Sequence, residues 1–307
     1  MARVSLNSTL RSSVAMVALI VVAVMSWVPQ RVIWIIGGTL GWLFSLLPSR
    51  VKRITAWNIE LCFRDLLPHE RRRLVWRHLR MFGIGILSIG AAWWAPRRRL
   101  RRLVKTRDQH HLDQLLAEGR NVILLAPHFI ALDICGVRLS LDRKIVSMYR
   151  ESKNGLLNRI SRRRTRFGIV LVERESSLRP LVRLVRKGMP FYYLPDQDLE
   201  GRASVFVPFF GIQASTVTAL SRIAKMTQAA VVPCISYILP GGRGYEVRFL
   251  PPMADFPTDD SEEDARRMNL EIESWIREMP EQYMWAVRRF KTRPVGEPSF
   301  YRQNPDA

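Results

Sequence analysis

Apolar positions fall into two regimes along the chain. From 14 to 47 they run almost unbroken, and from about 108 onward they come in short runs separated by longer polar or mixed stretches. Over 14–28 only Ser26 interrupts the hydrocarbon, with Arg3 and Arg11 ahead of it. Pro29, Gln30 and Arg31 divide this run from a second one over 32–47, which Gly37, Gly38, Thr39, Gly41 and Ser45 loosen. The first run alone is shorter than the roughly 20 residues of a full span and reaches that length only with its flank. It reads as a single transmembrane or deeply inserted anchor. A hairpin dipping into one leaflet, with its turn near Pro29, is the alternative, and a cleaved signal peptide lacks the small-x-small site after the apolar run. Arg50, Lys52 and Arg53 follow the second run and keep the main body on the cytoplasmic side. Arg3 and Arg11 argue for that side at the N-terminus too, so the topology stays open. The chain divides into an N-terminal hydrophobic membrane anchor, 1–48, and a cytoplasm-facing domain, 49–307.

The second regime opens with helix. The stretch 54–90 reads as helical with a break at Pro68, where Pro and Glu70 mark a new N-terminus. Residues 81–94 are strongly apolar and end in Trp93-Trp94, which suits either a core-facing helix or a surface packed on lipid. Six cations then fall within 97–105, either as a solvated face or as a segment held against anionic headgroups. From 108 onward the periodicity alternates. Helices are predicted over 109–119, 130–139, 154–167, 178–187, 215–226 and 261–279, and strands over 121–126, 144–149, 169–172, 191–194, 230–237 and 245–250. Glu262, Glu263 and Asp264 stand at the start of the last helix, where its dipole favours them. The expected fold is α/β, with a mixed central sheet flanked by helices.

Charge narrows the partners. Lys plus Arg number 48 against 27 Asp plus Glu, a formal charge of +21, which calls for a polyanionic partner. No zinc-finger spacing, RNA-recognition motif or basic heptad region is present, so membrane lipid is expected and nucleic acid is not. Cys62, Cys135 and Cys234 are widely spaced, odd in number and set in apolar surroundings, as buried thiols of a reduced compartment are. Neither a metal nor a cofactor is expected.

The strand predicted over 121–126 runs into Pro127-His128, and Asp133 follows five positions after the histidine. On an ideal helix the two would stand about 140° apart. They meet if His128 lies on the strand-to-helix turn and Asp133 in the first turn of the helix. A carboxylate on an imidazole fixes its tautomer and raises its basicity, as a general base acting on a hydroxyl requires. A histidine satisfied by a backbone carbonyl at a strand end is the plainer reading of these residues alone.

The His128-x4-Asp133 pair resembles the motif shared by glycerolipid acyltransferases and the late acyltransferases of lipid A biosynthesis. Further blocks resemble the lipid A group: Asn58-Ile59-Glu60-Leu61-Cys62-Phe63, Met148-Tyr149-Arg150, Leu194-Pro195-Asp196-Gln197-Asp198, Val205-Phe206-Val207-Pro208-Phe209-Phe210-Gly211, Pro280 to Trp285, and Arg289-Phe290-Lys291. The chain departs from the group at Arg64, at Leu199-Glu200 before Gly201, and at Ala286-Val287 before Arg288. The resemblance covers about 15–294. It implies a glycerolipid acyltransferase-like fold in the bacterial inner membrane, with the catalytic domain on the cytoplasmic side. It also implies a fatty acyl chain passing from acyl carrier protein to a hydroxyl of a Kdo-bearing lipid A precursor. In those terms His128 is the general base and Asp133 its orienting group. Arg150, at a strand end, is a candidate for the oxyanion. Arg166 is a candidate for acceptor phosphate, and Asp196 and Asp198 for ordering the loop or positioning substrate. Two rivals stand beside this: an acyltransferase of another membrane lipid, such as phosphatidic acid or an ornithine lipid, and a non-catalytic basic membrane protein.

Overall fold

The computed structural model describes residues 16, 20, 21, 23–149, 162–174, 177–199 and 203–301. Its centre is a seven-stranded sheet. In spatial order the strands are β1 (Val104–Arg107), β9 (Tyr245–Phe249), β8 (Ala230–Ile238), β2 (Val122–Leu125), β5 (Phe191–Tyr193), β3 (Ile145–Tyr149) and β4 (Ile169–Glu173). Every neighbouring pair is parallel except β8 and β9, so the sheet is mixed, as expected. A separate antiparallel pair joins β6 (Ser204–Phe209) to β7 (Ile212–Val217).

The central strands are covered on both faces. Ile123 and Leu125 of β2 enter one core with Phe191, Tyr193 and Val231, while Val122 and Leu124 enter the other with Tyr192 and Val232. This alternation follows the period-two pleat, and all nine residues of β8 are buried. The helices are α1 (Gln30–Leu46), α2 (Arg50–Cys62), α3 (Pro68–Trp94), α4 (Arg97–Leu103), α5 (His110–Ala117), α6 (Leu132–Leu139), α7 (Arg179–Arg186), α8 (Ala219–Thr227) and α9 (Ser261–Glu278). Asp260 caps α9 by accepting from the N–H groups of Glu262 and Glu263 at 2.8 and 3.2 Å. The three cysteines are free and buried.

Several segments differ from the sequence reading. Of the helix expected over 215–226, positions 215–217 end the strand β7 and 219–226 lie in α8. Phe210 and Gly211, with φ of 50° and 73°, make the two-residue turn that folds β7 back on β6. The hairpin is held on α9, where Asn269 Nδ2 donates to Pro208 O and Glu273 accepts from Phe210 N–H. The basic stretch 97–105 is the short helix α4 running straight into β1. The helix expected over 154–167 is described only from 162, where Arg162–Phe167 is a 3-10 turn.

The N-terminal segment is described in part. Among the described residues no single helix is long and apolar enough to cross a membrane. The pair α1 and α2, bent by 86°, meets that length and composition only together. The run 14–28 falls partly outside the described residues. The second apolar run is α1, which lies on α3 through glycines. A Cβ at Gly41 would stand 2.2 Å from Leu79 O, and one at Gly83 would stand 2.3 Å from Gly37 O. Backbones this close admit no side chain. Gly41→Leu should therefore cost about 1–3 kcal/mol or more, seen as a lower midpoint in denaturant or thermal unfolding. An unchanged midpoint would count against this packing. The opposite side of this segment is apolar and exposed, with Trp27 68% and Ile35 64% accessible.

His78 of α3 is fully buried, and its Nδ1–H donates to Glu281 O at 3.1 Å. Burial lowers its pKa from 6.5 to about 4. The folded chain keeps it neutral where the unfolded chain protonates it. The stability it contributes is complete above pH 6.5 and is lost as the pH falls toward 4, about 3 kcal/mol in all. Unfolding free energies measured across that range should show a steeper acid loss in the wild type than in His78→Gln. Equal slopes would contradict the assignment.

Candidate active site

The centre of the sheet delivers His128. Beyond β2 the ladder continues one step, with Ala126 N–H donating to Tyr193 O at 2.8 Å. Pro127 has no N–H to extend it. Phe129 N–H turns back onto Pro127 O at 2.7 Å, and α6 begins at Leu132 with Asp133 in its first turn. A distant segment braces this loop. Ile130 N–H donates to Gln282 O at 2.9 Å, and Met284 N–H donates to His128 O at 2.8 Å. Gln282 is itself locked on β8, accepting from Ile238 N–H and donating to Ile238 O. Phe129, wholly buried, packs edge-on against Tyr237 and Tyr283.

The carboxylate on His128 is Asp196. Its Oδ1 lies 2.6 Å from His128 Nδ1, and its Oδ2 accepts the His128 backbone N–H at 2.8 Å. Strand register explains the meeting. β2 and β5 run parallel with Ile123 opposite Phe191 and Leu125 opposite Tyr193, an offset of 68 residues (191 − 123). Three residues past each strand the same offset sets His128 against Asp196 (196 − 128), so the two arrive together at the carboxyl edge of the sheet. Asp196, expected as a loop-ordering or substrate-positioning residue, is thus the carboxylate hydrogen-bonded to His128 Nδ1. Asp133 lies one helical turn on, in the wall of the same cavity.

Asp196 is 1% exposed. Burial by itself would raise its pKa. The nearby His128 charge, the two hydrogen bonds from His128 and the field of Arg289 outweigh that and hold it below the ordinary carboxylate range. The stability this gives is present above about pH 4, the unfolded value, and is lost as the pH falls through the lower folded value. An ionised carboxylate only accepts, so Nδ1 carries a proton, and the neutral imidazole has its lone pair on Nε2.

His128 lines a cavity of about 990 Å³ at this edge. Most of its wall is hydrocarbon, including Val137, Ile145, Met148, Ile169, Leu171 and Leu178, and Arg174 and Arg222 bring cations to it. Such a site suits a long apolar chain with a polar reacting end.

The remaining predicted residues divide. Asp198 orders the loop, accepting from Thr292 N–H at 2.6 Å and from Thr292 Oγ1 at 2.8 Å. Arg166 is engaged elsewhere and does not line the cavity. Its guanidinium donates to Ala92 O and Ala95 O at the C-terminus of α3 and lies over the Phe167 ring at 4.2 Å, and burial lowers its pKa to about 10. There it caps a helix end. Arg150 lies outside the described residues. Among the described residues no three His, Cys, Asp or Glu side chains gather as metal ligands. The sequence reading did not assign Arg174, Arg222 or the bracing role of 282–284. Asp196 is a candidate residue of the sequence reading, and its pairing with His128 follows from the adjacency of β2 and β5.

Comparison with known proteins gives the chain its class. The chain is an acyltransferase: the family model for bacterial lipid A biosynthesis acyltransferases matches residues 5–292. Escherichia coli lipid A biosynthesis lauroyltransferase is 35% identical over 89% of this chain and 90% of its own length. The palmitoleoyltransferase of the same organism is 31% identical over 90% of each chain. Its myristoyltransferase is 29% identical over 86% of this chain and 82% of its own. The chain belongs to the bacterial lipid A biosynthesis acyltransferase family.

Proposed function

We propose that the protein transfers a fatty acyl chain from the thioester of acyl carrier protein to a hydroxyl of a Kdo-bearing lipid A precursor. The reaction would take place at the cytoplasmic face of the bacterial inner membrane. The observation that carries the mechanism is the His128–Asp196 pair at the edge of a large apolar cavity, in a chain of this family. His128 Nε2 takes the proton of the acceptor hydroxyl as its oxygen attacks the thioester carbonyl carbon. The C–O bond forms, and the tetrahedral intermediate collapses with cleavage of the C–S bond. The imidazolium returns its proton to the departing sulfur. Asp196 holds the tautomer and balances the imidazolium, as the carboxylate of a serine-hydrolase triad does, with the substrate's hydroxyl in place of the serine. Asp133, in the first turn of α6, lines the same cavity. Arg150, one residue past β3, is the cation we assign to the oxyanion.

The cavity takes the donor's alkyl chain. The exposed apolar side of residues 23–47 meets the bilayer, with the arginines of 50–53 and 97–102 toward its anionic headgroups. The net charge of +21 also suits a small acidic donor protein and a phosphorylated acceptor. A purified-enzyme assay with matched acyl carrier protein and coenzyme A thioesters tests the donor and acceptor together. Faster turnover with the carrier-protein thioester on a lipid A precursor is expected. Equal use of both donors would remove the carrier protein from the account, and acylation of lysophosphatidic acid in place of the precursor would remove the acceptor.

A further inference from the structure

A second apolar cavity, of about 180 Å³, lies behind the wall that carries Asp133. Phe82, Ile86 and Ile89 of α3 form one side. Ile130 and Ile134, around the start of α6, form the other, and Met284 closes it. Leu132, Asp133 and Met284 line both this cavity and the one that holds His128, so the two are separated by a single layer of side chains. Gly85 keeps the space narrow and set: a Cβ there would fall 2.2 Å from Ile130 Cγ2. Ser88 is the one polar side chain besides Asp133, and its hydroxyl is engaged by Ile84 O and by Tyr245. Ile86, 45% exposed, brings the cavity to the surface on the helix that also carries α1.

We infer that this second cavity holds an alkyl chain of the acceptor lipid, so that donor and acceptor chains approach His128 from opposite sides of the Leu132–Asp133–Met284 wall. The inference rests on the acyl transfer proposed above. That reaction joins two lipids at one histidine, so each must bring its hydrocarbon within reach of it. In the reaction proposed above the 990 Å³ cavity takes the donor chain, and the acceptor hydroxyl must reach His128 beside it. The lining next to Asp133 is hydrocarbon, which selects an alkyl chain over a sugar or phosphate. The shared wall leaves whatever fills the cavity one layer of side chains from the cavity that His128 lines. Its mouth lies on α3, against which the exposed apolar α1 packs, so a lipid can enter from that side.

The test fills the space. Ile86→Trp narrows the mouth at an exposed position, and Ile89→Trp fills the interior. Steady-state kinetics would vary each substrate in turn. Both variants should raise the KM for the lipid acceptor about tenfold, the loss of roughly two buried methylenes, and leave the KM for the acyl thioester within about twofold. An unchanged acceptor KM in both variants would overturn the inference. A rise confined to the thioester KM would also overturn it, because the cavity would then extend the donor site. Should the wild type acylate some other lipid and leave the lipid A precursor unmodified, the proposed function fails, and the same comparison with that lipid still tests the cavity.

Discussion

His128→Ala is expected to slow acyl transfer by about 10²- to 10⁴-fold, the range that general-base catalysis contributes. The variant should remain folded. The His128 side chain supplies one of the two hydrogen bonds that Asp196 receives from this residue, and the backbone N–H at 2.8 Å stays in place. Weakening a buried hydrogen-bonded carboxylate costs about 1–3 kcal/mol. A chain braced by Met284, Gln282 and the fully buried Phe129 absorbs that. Rate measurements paired with an unfolding curve separate the two effects. Turnover within a few-fold of the wild type would remove His128 from the chemistry.

Asp196→Asn carries the second large effect and is the sharper test of geometry. The amide is nearly isosteric, so the offset of 68 between β2 and β5 still sets residue 196 against residue 128. The difference is in the protons. The carboxylate requires a proton on Nδ1, whereas the amide can turn its NH₂ toward Nδ1 and favour the tautomer protonated at Nε2, which cannot act as a base. In serine hydrolases the corresponding substitution costs about 10⁴-fold, and a loss of about 10²- to 10⁴-fold in kcat is expected here on the same grounds. Donor KM should change little, because Asp196 is buried and faces the histidine. A loss that appeared only in KM would mean that Asp196 contacts substrate after all.

The two carboxylates show how far the sequence reaches. The strand before His128, the break at Pro127 and the helix carrying Asp133 could all be read locally, because each depends on residues a few positions apart. That made Asp133 the visible partner. Asp196 lies 68 positions away, and only strand order makes β2 and β5 neighbours. Periodicity reports that a strand exists and says nothing of which strand lies beside it. The β6–β7 hairpin was hidden for a related reason. Its exposed and buried positions alternate within a short apolar block, and its turn depends on the backbone of Phe210 and Gly211. Arg166 sat in a run of arginines that looked uniformly available, whereas the fold turns its guanidinium onto carbonyls at the end of α3. The glycines of the second apolar run looked like interruptions of an anchor. In the fold they are the surface by which α1 closes on α3.

The central claim is that this chain adds an acyl group to lipid A through His128 held by Asp196. The most direct measurement is mass spectrometry of lipid A from a host lacking this enzyme, complemented with the wild type, His128→Ala or Asp196→Asn at equal protein levels. The account predicts one additional acyl chain with the wild type and lipid A without it in both variants. Lipid A unchanged by the wild type, or acylated equally by His128→Ala, would contradict it.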